Sequence, residues 1–397
     1  MRLRIAICLL LVCAGAAWLR AGSAHIQVPT SVSSAPFSQV VSAVGYVYIS
    51  EIQPPAGTPE NIGAQTSIVL NELKRQLEAN GSSMGQLCHV QVTLKNASDF
   101  AAMNQAYAAA FAAGGADPAA AMSPPARTTF TSWLRGSTLI SISAVAVPNG
   151  AAREALLPAG WAKSPRPYSY IIKTDDLVFF SGLVSRRGTD DAVIKGNITT
   201  QTQVILDNAG TLLETADLTY DDVVSAKVYI TSPYAFQDVN DIYAGYFPKN
   251  APARGTAVTE LMGIDSDVEI TMVASRQPKT VIGGQAANGL PVSLAVQAGP
   301  RVWLSAVIGD TDKYKDDVAA QTRGAFDHLR TTLALAGLSL SDIVEMTTYL
   351  RDPYEQSKLE DVFRAIFPTR PPARALAATR FVAEPARVEL MATAVRR

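Results

Sequence analysis

An arginine preceded by Pro-Ala recurs at domain-length spacing: Arg127 in SPPARTTF, Arg254 in APARGTAV and Arg374 in RPPARALA, at intervals of 127 and 120 residues. A further copy ends at Arg387, only 13 residues after Arg374, and is read as a chance repeat within the last unit. A lone arginine behind a proline-stiffened loop is usually a solvated surface cation. Three in matching surroundings point instead to one position used three times. A guanidinium stays charged at any working pH and offers a planar fork of donors that grips a carboxylate at two points. The chemistry expected of these arginines is therefore the capture of small carboxylate anions.

Other reactive side chains are sparse. Cys88 lies in the apolar run LCHVQVTL and reads as a buried structural thiol. His25, His89 and His328 stand singly, without the local pairing of a metal site, so serine-triad and zinc chemistry find no support. The first residues carry Arg2 and Arg4, an apolar run from Ile5 to Leu19 and a small-residue cleavage site at Ala21-Gly22-Ser23-Ala24. That pattern predicts a secretory signal over 1–24, with a mature chain beginning near His25 and a periplasmic or secreted location; an uncleaved anchor is the alternative. Cys8 and Cys13 leave with the signal, so the mature chain has no internal disulfide. Of 34 basic residues the signal removes Arg2, Arg4 and Arg20, leaving 31 against 35 acidic ones. Such a balance gives no basic footprint for nucleic acid.

The elements that must position the arginines repeat with them. The 397 residues are too many for one ordinary core. Three units are expected, over 26–150, 151–275 and 276–397, each in the order ββαβαββ. In the first, alternating residues around Gly45 predict a hairpin, followed by a helix from Ala64 to Asn80, a strand from Leu87 to Leu94 and a helix from Ser98 to Ala113. Arg127 then opens a strand, and Leu139 to Val147 forms the last. The second unit repeats this with helices from Thr200 to Ala216 and over VNDIYAGYF. Its strands run from Val223 to Ile230, Arg254 to Thr259 and Val268 to Ala274. The third has helices from Val318 to Ala336 and Tyr354 to Ile366, and strands that include Ile343 to Leu350, Ala375 to Ala378 and Val388 to Val395.

Small matches fix the register between units. Gln65-Thr66, Gln201-Thr202 and Gln321-Thr322 share one point of the first helix. Asn104, Asn240 and Glu360 share one point of the second, each followed three residues on by Tyr107, Tyr243 or Phe363, which read as core aromatics. Pro36-Phe37, Pro167-Tyr168 and Pro291-Val292 precede Ser50-Glu51, Ser181-Gly182 and Ser305-Ala306 at equal distance. One such unit leaves a sheet covered by helices on a single face. Three in one chain are expected to pack their bare faces around a pseudo-threefold axis, with six main helices outside.

In these motifs the chain resembles three tandem copies of the RidA or YjgF family of reactive-intermediate deaminases. The middle unit is most similar, through FFSGLV, VVSAKVYI, PARGTAV and DVEITMVA. The third follows through RVWLSAV, FPTRPPARAL and VELMATAVRR, and the first is the most divergent, keeping PPARTT and ISAVAV. The resemblance implies an α+β, RidA-like (chorismate-mutase-like) fold in which a covalent pseudo-trimer, a monomer in solution, places ligand clefts between units. It implies hydrolysis of small 2-imino or 2-enamino acids to 2-keto acids and ammonia, without a metal or organic cofactor and without a nucleic-acid partner.

By motif position the resemblance assigns the substrate carboxylate to Arg127, Arg254 and Arg374, and the positioning of water to Glu269 and Glu389. It places Tyr168, Ser181 and Gly182 among the substrate-binding residues of the middle unit. Ser141 takes the glutamate's place in the first unit, and Glu51 and Ala306 replace the close-approach glycine. The three sites are therefore expected to differ. A non-catalytic module of the same fold, binding small carboxylates or docking a partner, is the alternative.

Overall fold

The computed structural model describes residues 36–112, 122–263, 265–286 and 289–396. The expected signal over 1–24, the mature start near His25 and part of the Ala/Gly/Pro-rich loop before Arg127 lie outside the described residues. No helix among the described residues is long and apolar enough to cross a membrane.

Each repeat unit builds one mixed sheet. In the first, β1 (Val40–Ala43) and β2 (Tyr46–Ile52) form the hairpin, followed by α1 (Ile62–Ala79), β3 (Leu87–Leu94), α2 (Phe100–Phe111), β4 (Ala126–Thr131) and β5 (Ile140–Ala146). The sheet order is β1-β2-β5-β3-β4, with β4 parallel to β3 at the edge. The second unit has β6 (Arg153–Leu156), β7 (Ile171–Thr174), β8 (Leu177–Phe180), α3 (Ile198–Thr215), β9 (Val223–Ile230), α4 (Phe236–Tyr246), β10 (Ala253–Val258) and β11 (Val268–Ser275). The third has β12 (Lys279–Gln285), β13 (Ser293–Ala298), β14 (Arg301–Ile308), α5 (Thr311–Tyr314), α6 (Val318–Leu335), β15 (Ile343–Leu350), α7 (Gln356–Ile366), β16 (Ala373–Ala378) and β17 (Val388–Val395). The ββαβαββ order is that expected, with the short helix α5 and two edge strands added. Two segments to which the sequence assigns no element pair as edge strands, β6 on β7 and β12 on β13. Each also ties back to the preceding unit: Arg153 Nε donates to the Leu87 carbonyl at 2.7 Å, and Lys279 Nζ to the Val223 carbonyl at 2.9 Å.

Local chemistry explains the long helices. Asn61, Asn197 and Asp317 cap α1, α3 and α6 by accepting the N–H three residues on, at 2.9, 3.0 and 2.9 Å. The matched glutamines are buried clamps between that helix and the entry to the last strand. Gln65, Gln201 and Gln321 accept the backbone N–H of Leu139, Asp267 and Arg387 at 2.8, 2.9 and 2.8 Å.

Each unit has its own helix-on-sheet core, and two further apolar clusters draw on all three units. One contains Tyr46, Ile172, Phe179, Val296 and Trp303, and the other Phe130, Tyr229, Tyr349 and Phe381. Burying such side chains contributes roughly 1.5–3 kcal/mol each, which is what holds the bare sheet faces together. Between these clusters His89, Lys227 and Glu345 line a cavity of about 70 Å³. Burial pushes the His89 imidazole down to about 3, lowers the Lys227 amine and raises the Glu345 carboxyl. At one end of the axis the units meet in a single polar node. Arg301 Nη1 donates to Asp176 at 2.5 Å and Nη2 to the Val44 carbonyl at 2.5 Å, while its guanidinium lies 4.5 Å from the Tyr46 ring centroid.

Candidate active site

Each of the three matched arginines, Arg127, Arg254 and Arg374, is the second residue of a parallel edge strand, β4, β10 or β16, and that edge meets the hairpin of the next unit. The matched serines make the joint. Ser181, Ser305 and Ser50 accept the backbone N–H of Arg127, Arg254 and Arg374 at 2.8, 2.9 and 2.7 Å. Each donates in turn to a carbonyl of its own hairpin, at Ser169, Ser293 or Ser38. The first unit thus pairs with the second, the second with the third, and the third with the first. Ser181, expected among the substrate-binding residues, has its hydroxyl committed to the seam; it fixes where Arg127 starts rather than facing a ligand.

The arginine side chains are buried. Tyr107 and Tyr243 lie beneath the guanidinium carbons of Arg127 and Arg254, at 4.8 and 4.7 Å from the ring centroids. Tyr168 of the second unit covers Arg127 from across the seam at 5.7 Å. Asn240 Oδ1 accepts from Arg254 Nη2 at 2.5 Å, whereas Asn104 Oδ1 is buried without a hydrogen-bond partner. Nη1 of both arginines, like that of Arg374, is also buried without an acceptor. A buried donor left unpaired costs about 1–3 kcal/mol, a cost that an incoming carboxylate would remove.

A glutamate from the next unit completes each of these two seams. Arg127, Tyr168, Gly182 and Glu269 line one cavity of about 330 Å³, and Arg254, Ala306 and Glu389 line another of about 360 Å³. Burial pushes both carboxyls up to about 8, although each is opposed by a backbone N–H, of Thr129 or Thr256, and by the seam arginine. Thr129 N lies 3.4 Å from Glu269 Oε1. The Glu269 side chain also explains Gly182: a Cβ there would stand 1.7 Å from Oε1 and 2.6 Å from Cδ. The bare backbone is needed for this close approach.

The third seam is built differently, which corrects the expectation that Arg374 holds substrate. Its Nε and Nη2 donate to Glu51 Oε1 at 3.1 and 2.9 Å, and Nη2 also reaches Glu360 Oε1 at 3.2 Å. Phe37 covers the guanidinium at 4.4 Å. Strand register explains the exchange. Ser141 faces Thr93 as Glu269 faces Tyr229 and Glu389 faces Tyr349, so this seam lacks the strand glutamate. With that side chain gone, there is room for Glu51 at the position of Gly182. Two carboxylates around one guanidinium leave no net attraction for an anion.

Tyr107 and Tyr243, read from sequence as core, are the floors of the arginine sites. Their signal was present in the Asn-x-x-Tyr match of α2 and α4. Arg166 and Arg186, which line the first cavity, carried no signal because neither is repeated.

Comparison with known proteins agrees with the three-unit organisation of the chain. The family model described as Endoribonuclease L-PSP matches residues 29–147, 162–276 and 286–396. Over 109 residues the chain is 32% identical to Reactive Intermediate Deaminase A, chloroplastic, of Arabidopsis thaliana, covering 28% of this chain and 58% of that protein. It is 30% identical over 122 residues to the human 2-iminobutanoate/2-iminopropanoate deaminase, covering 30% of this chain and 89% of that one. A solved chorismatase structure covers 87% of this chain and 98% of its own at a TM-score of 0.51 and 16% identity, a likeness of fold alone.

Proposed function

Because the chain belongs to the Endoribonuclease L-PSP (RidA/YjgF) family, in three tandem units, we propose that it is an exported enamine/imine deaminase working at two of its three seams. The observation that carries this reading is the pairing, in each open cavity, of a buried arginine Nη1 without an acceptor and a carboxyl poised near neutrality. An imine is already electrophilic, so orientation plus one proton relay is sufficient chemistry.

In this reading Arg127 or Arg254 holds the carboxylate of a 2-imino acid and turns its C=N toward the glutamate. Glu269 or Glu389, protonated at neutral pH, gives its proton to the imine nitrogen and becomes a carboxylate. It then takes a proton from water as the water oxygen bonds to the imine carbon, forming a carbinolamine. The regained proton passes to the amino nitrogen, the C–N bond breaks and ammonia leaves. The hydroxyl proton returns to the glutamate as the 2-keto acid forms. An acid of pKa about 8 is matched to this double role at neutral pH.

The test supplies imines generated by an amino-acid oxidase and follows ammonia release. The rate is expected to fall as pH rises through about 8, and to drop at least about a hundredfold in an Arg127→Ala, Arg254→Ala double variant. Equal rates in the variant and the wild type would remove the proposal. Export rests on the segment 1–24, and cell fractionation that finds the chain in the cytoplasm with that segment intact would refute that part.

A further inference from the structure

The two open seams share an arginine, a glutamate, a threonine and a phenylalanine, Phe100 or Phe236, and differ in the charged and polar groups of their outer walls. Resting on the deaminase reading above, we propose that they divide substrates by side chain. The Arg127 seam takes 2-imino acids that carry a second carboxylate, and the Arg254 seam takes those with apolar side chains.

The first cavity is cationic beyond what one carboxylate needs. Arg166 and Arg186 both line it, and both bind the same aspartate, Asp191, at 2.9 and 3.0 Å. Two guanidinium groups on one carboxylate leave one positive charge over, in addition to Arg127. Ser266 supplies a hydroxyl on the same wall. A monoanion bound to Arg127 would leave that surplus charge unpaired in a half-buried wall, whereas a dianion satisfies both ends.

The second cavity has the same frame with these groups replaced. Leu290 stands two residues before Val292 as Arg166 stands two before Tyr168, and Ala386 stands three before Glu389 as Ser266 stands three before Glu269. Leu294, Val307 and Phe381 extend the apolar wall. Among the described residues that line it, Arg254 is the only arginine or lysine. A second carboxylate entering here would be stripped of water without a partner, a cost of several kcal/mol that excludes it.

The experiment separates the seams through their glutamates. Ammonia release is measured for the imines that amino-acid oxidases make from glutamate and from leucine, in the wild type and in Glu269→Gln and Glu389→Gln. The proposal expects Glu269→Gln to abolish turnover of the acidic imine and spare the apolar one, with the reverse for Glu389→Gln. Either variant losing both substrates equally would overturn it.

Binding gives a readout independent of turnover. Calorimetric titration of 2-oxoglutarate and 4-methyl-2-oxopentanoate into Arg166→Leu should show at least about tenfold weaker binding of the first and unchanged binding of the second. The reciprocal Leu290→Arg should weaken the second and add a site for the first. Unchanged affinities in both variants would overturn the division of substrates. Intact division in binding with no imine hydrolysis would remove the deaminase reading and leave the division standing.

Discussion

Glu269 and Glu389 bring a proton into the folded state that the unfolded chain releases at ordinary carboxyl pH. Their pKa is raised from 4.5 to about 8, so the folded protein binds more protons than the unfolded one between those values, and stability falls as pH rises through that window. Each carboxyl costs about 1.4 kcal/mol per pH unit there. A Glu269→Gln, Glu389→Gln variant should therefore gain denaturant stability over wild type progressively from pH 4.5 to 8 and hold a constant lead above that. A lead independent of pH would show that neither carboxyl is held neutral. The identity of these groups was legible only through the family resemblance, since a lone glutamate on a strand carries no signal of its own; the register of the three units came from the chain's own internal comparison. What that comparison could not separate was frame from function. Ser181, Ser305 and Ser50 are the same in all three units because they join seams, even at the seam whose arginine is occupied. The positions that set the three clefts apart are those that vary, Gly182 against Glu51, Glu269 against Ser141, and Arg166 against Leu290.

The elements follow the same logic. Strands β3, β9 and β15 fall where their largely apolar, partly alternating patterns and flanking turns placed them, and both faces of these central strands are covered. Strands β6 and β12 escaped because Arg-Glu-Ala-Leu and Lys-Thr-Val-Ile-Gly-Gly-Gln bury no continuous face; their pairing is set by the neighbouring hairpin. Helix and last strand are coupled through one amide in each unit. Gln201 accepts from Asp267 N and donates to Gly196 O and Asp267 Oδ2, at 2.9, 3.0 and 3.0 Å. Gln201→Ala should cost about 1–3 kcal/mol in chemical denaturation, more than an exposed helix substitution such as Gln237→Ala. Equal losses would mean that α3 and β11 hold their places without the amide.

At the scale of the whole molecule, three sheets back onto one axis, and a purified chain is expected to sediment at the mass of one copy. The Arg374–Glu51 pair makes a sharper prediction about the seam between the third and first units. Removing one partner of a buried ion pair is costly, so Glu51→Gln should destabilise by about 3 kcal/mol or more, whereas a Glu51→Met, Arg374→Met double change should be close to neutral. If the double change is as damaging as the single one, packing rather than charge holds that seam. Peptide runs directly from the first unit to the second and from the second to the third, but the remaining boundary has no such tether. A necklace closed from a single strand needs a clasp where its ends come round, and Glu51 fills the cleft at that boundary. Two open pockets and one fastener are a division of labour open to a fused chain, because identical subunits would have to wear the fastener at every joint or at none.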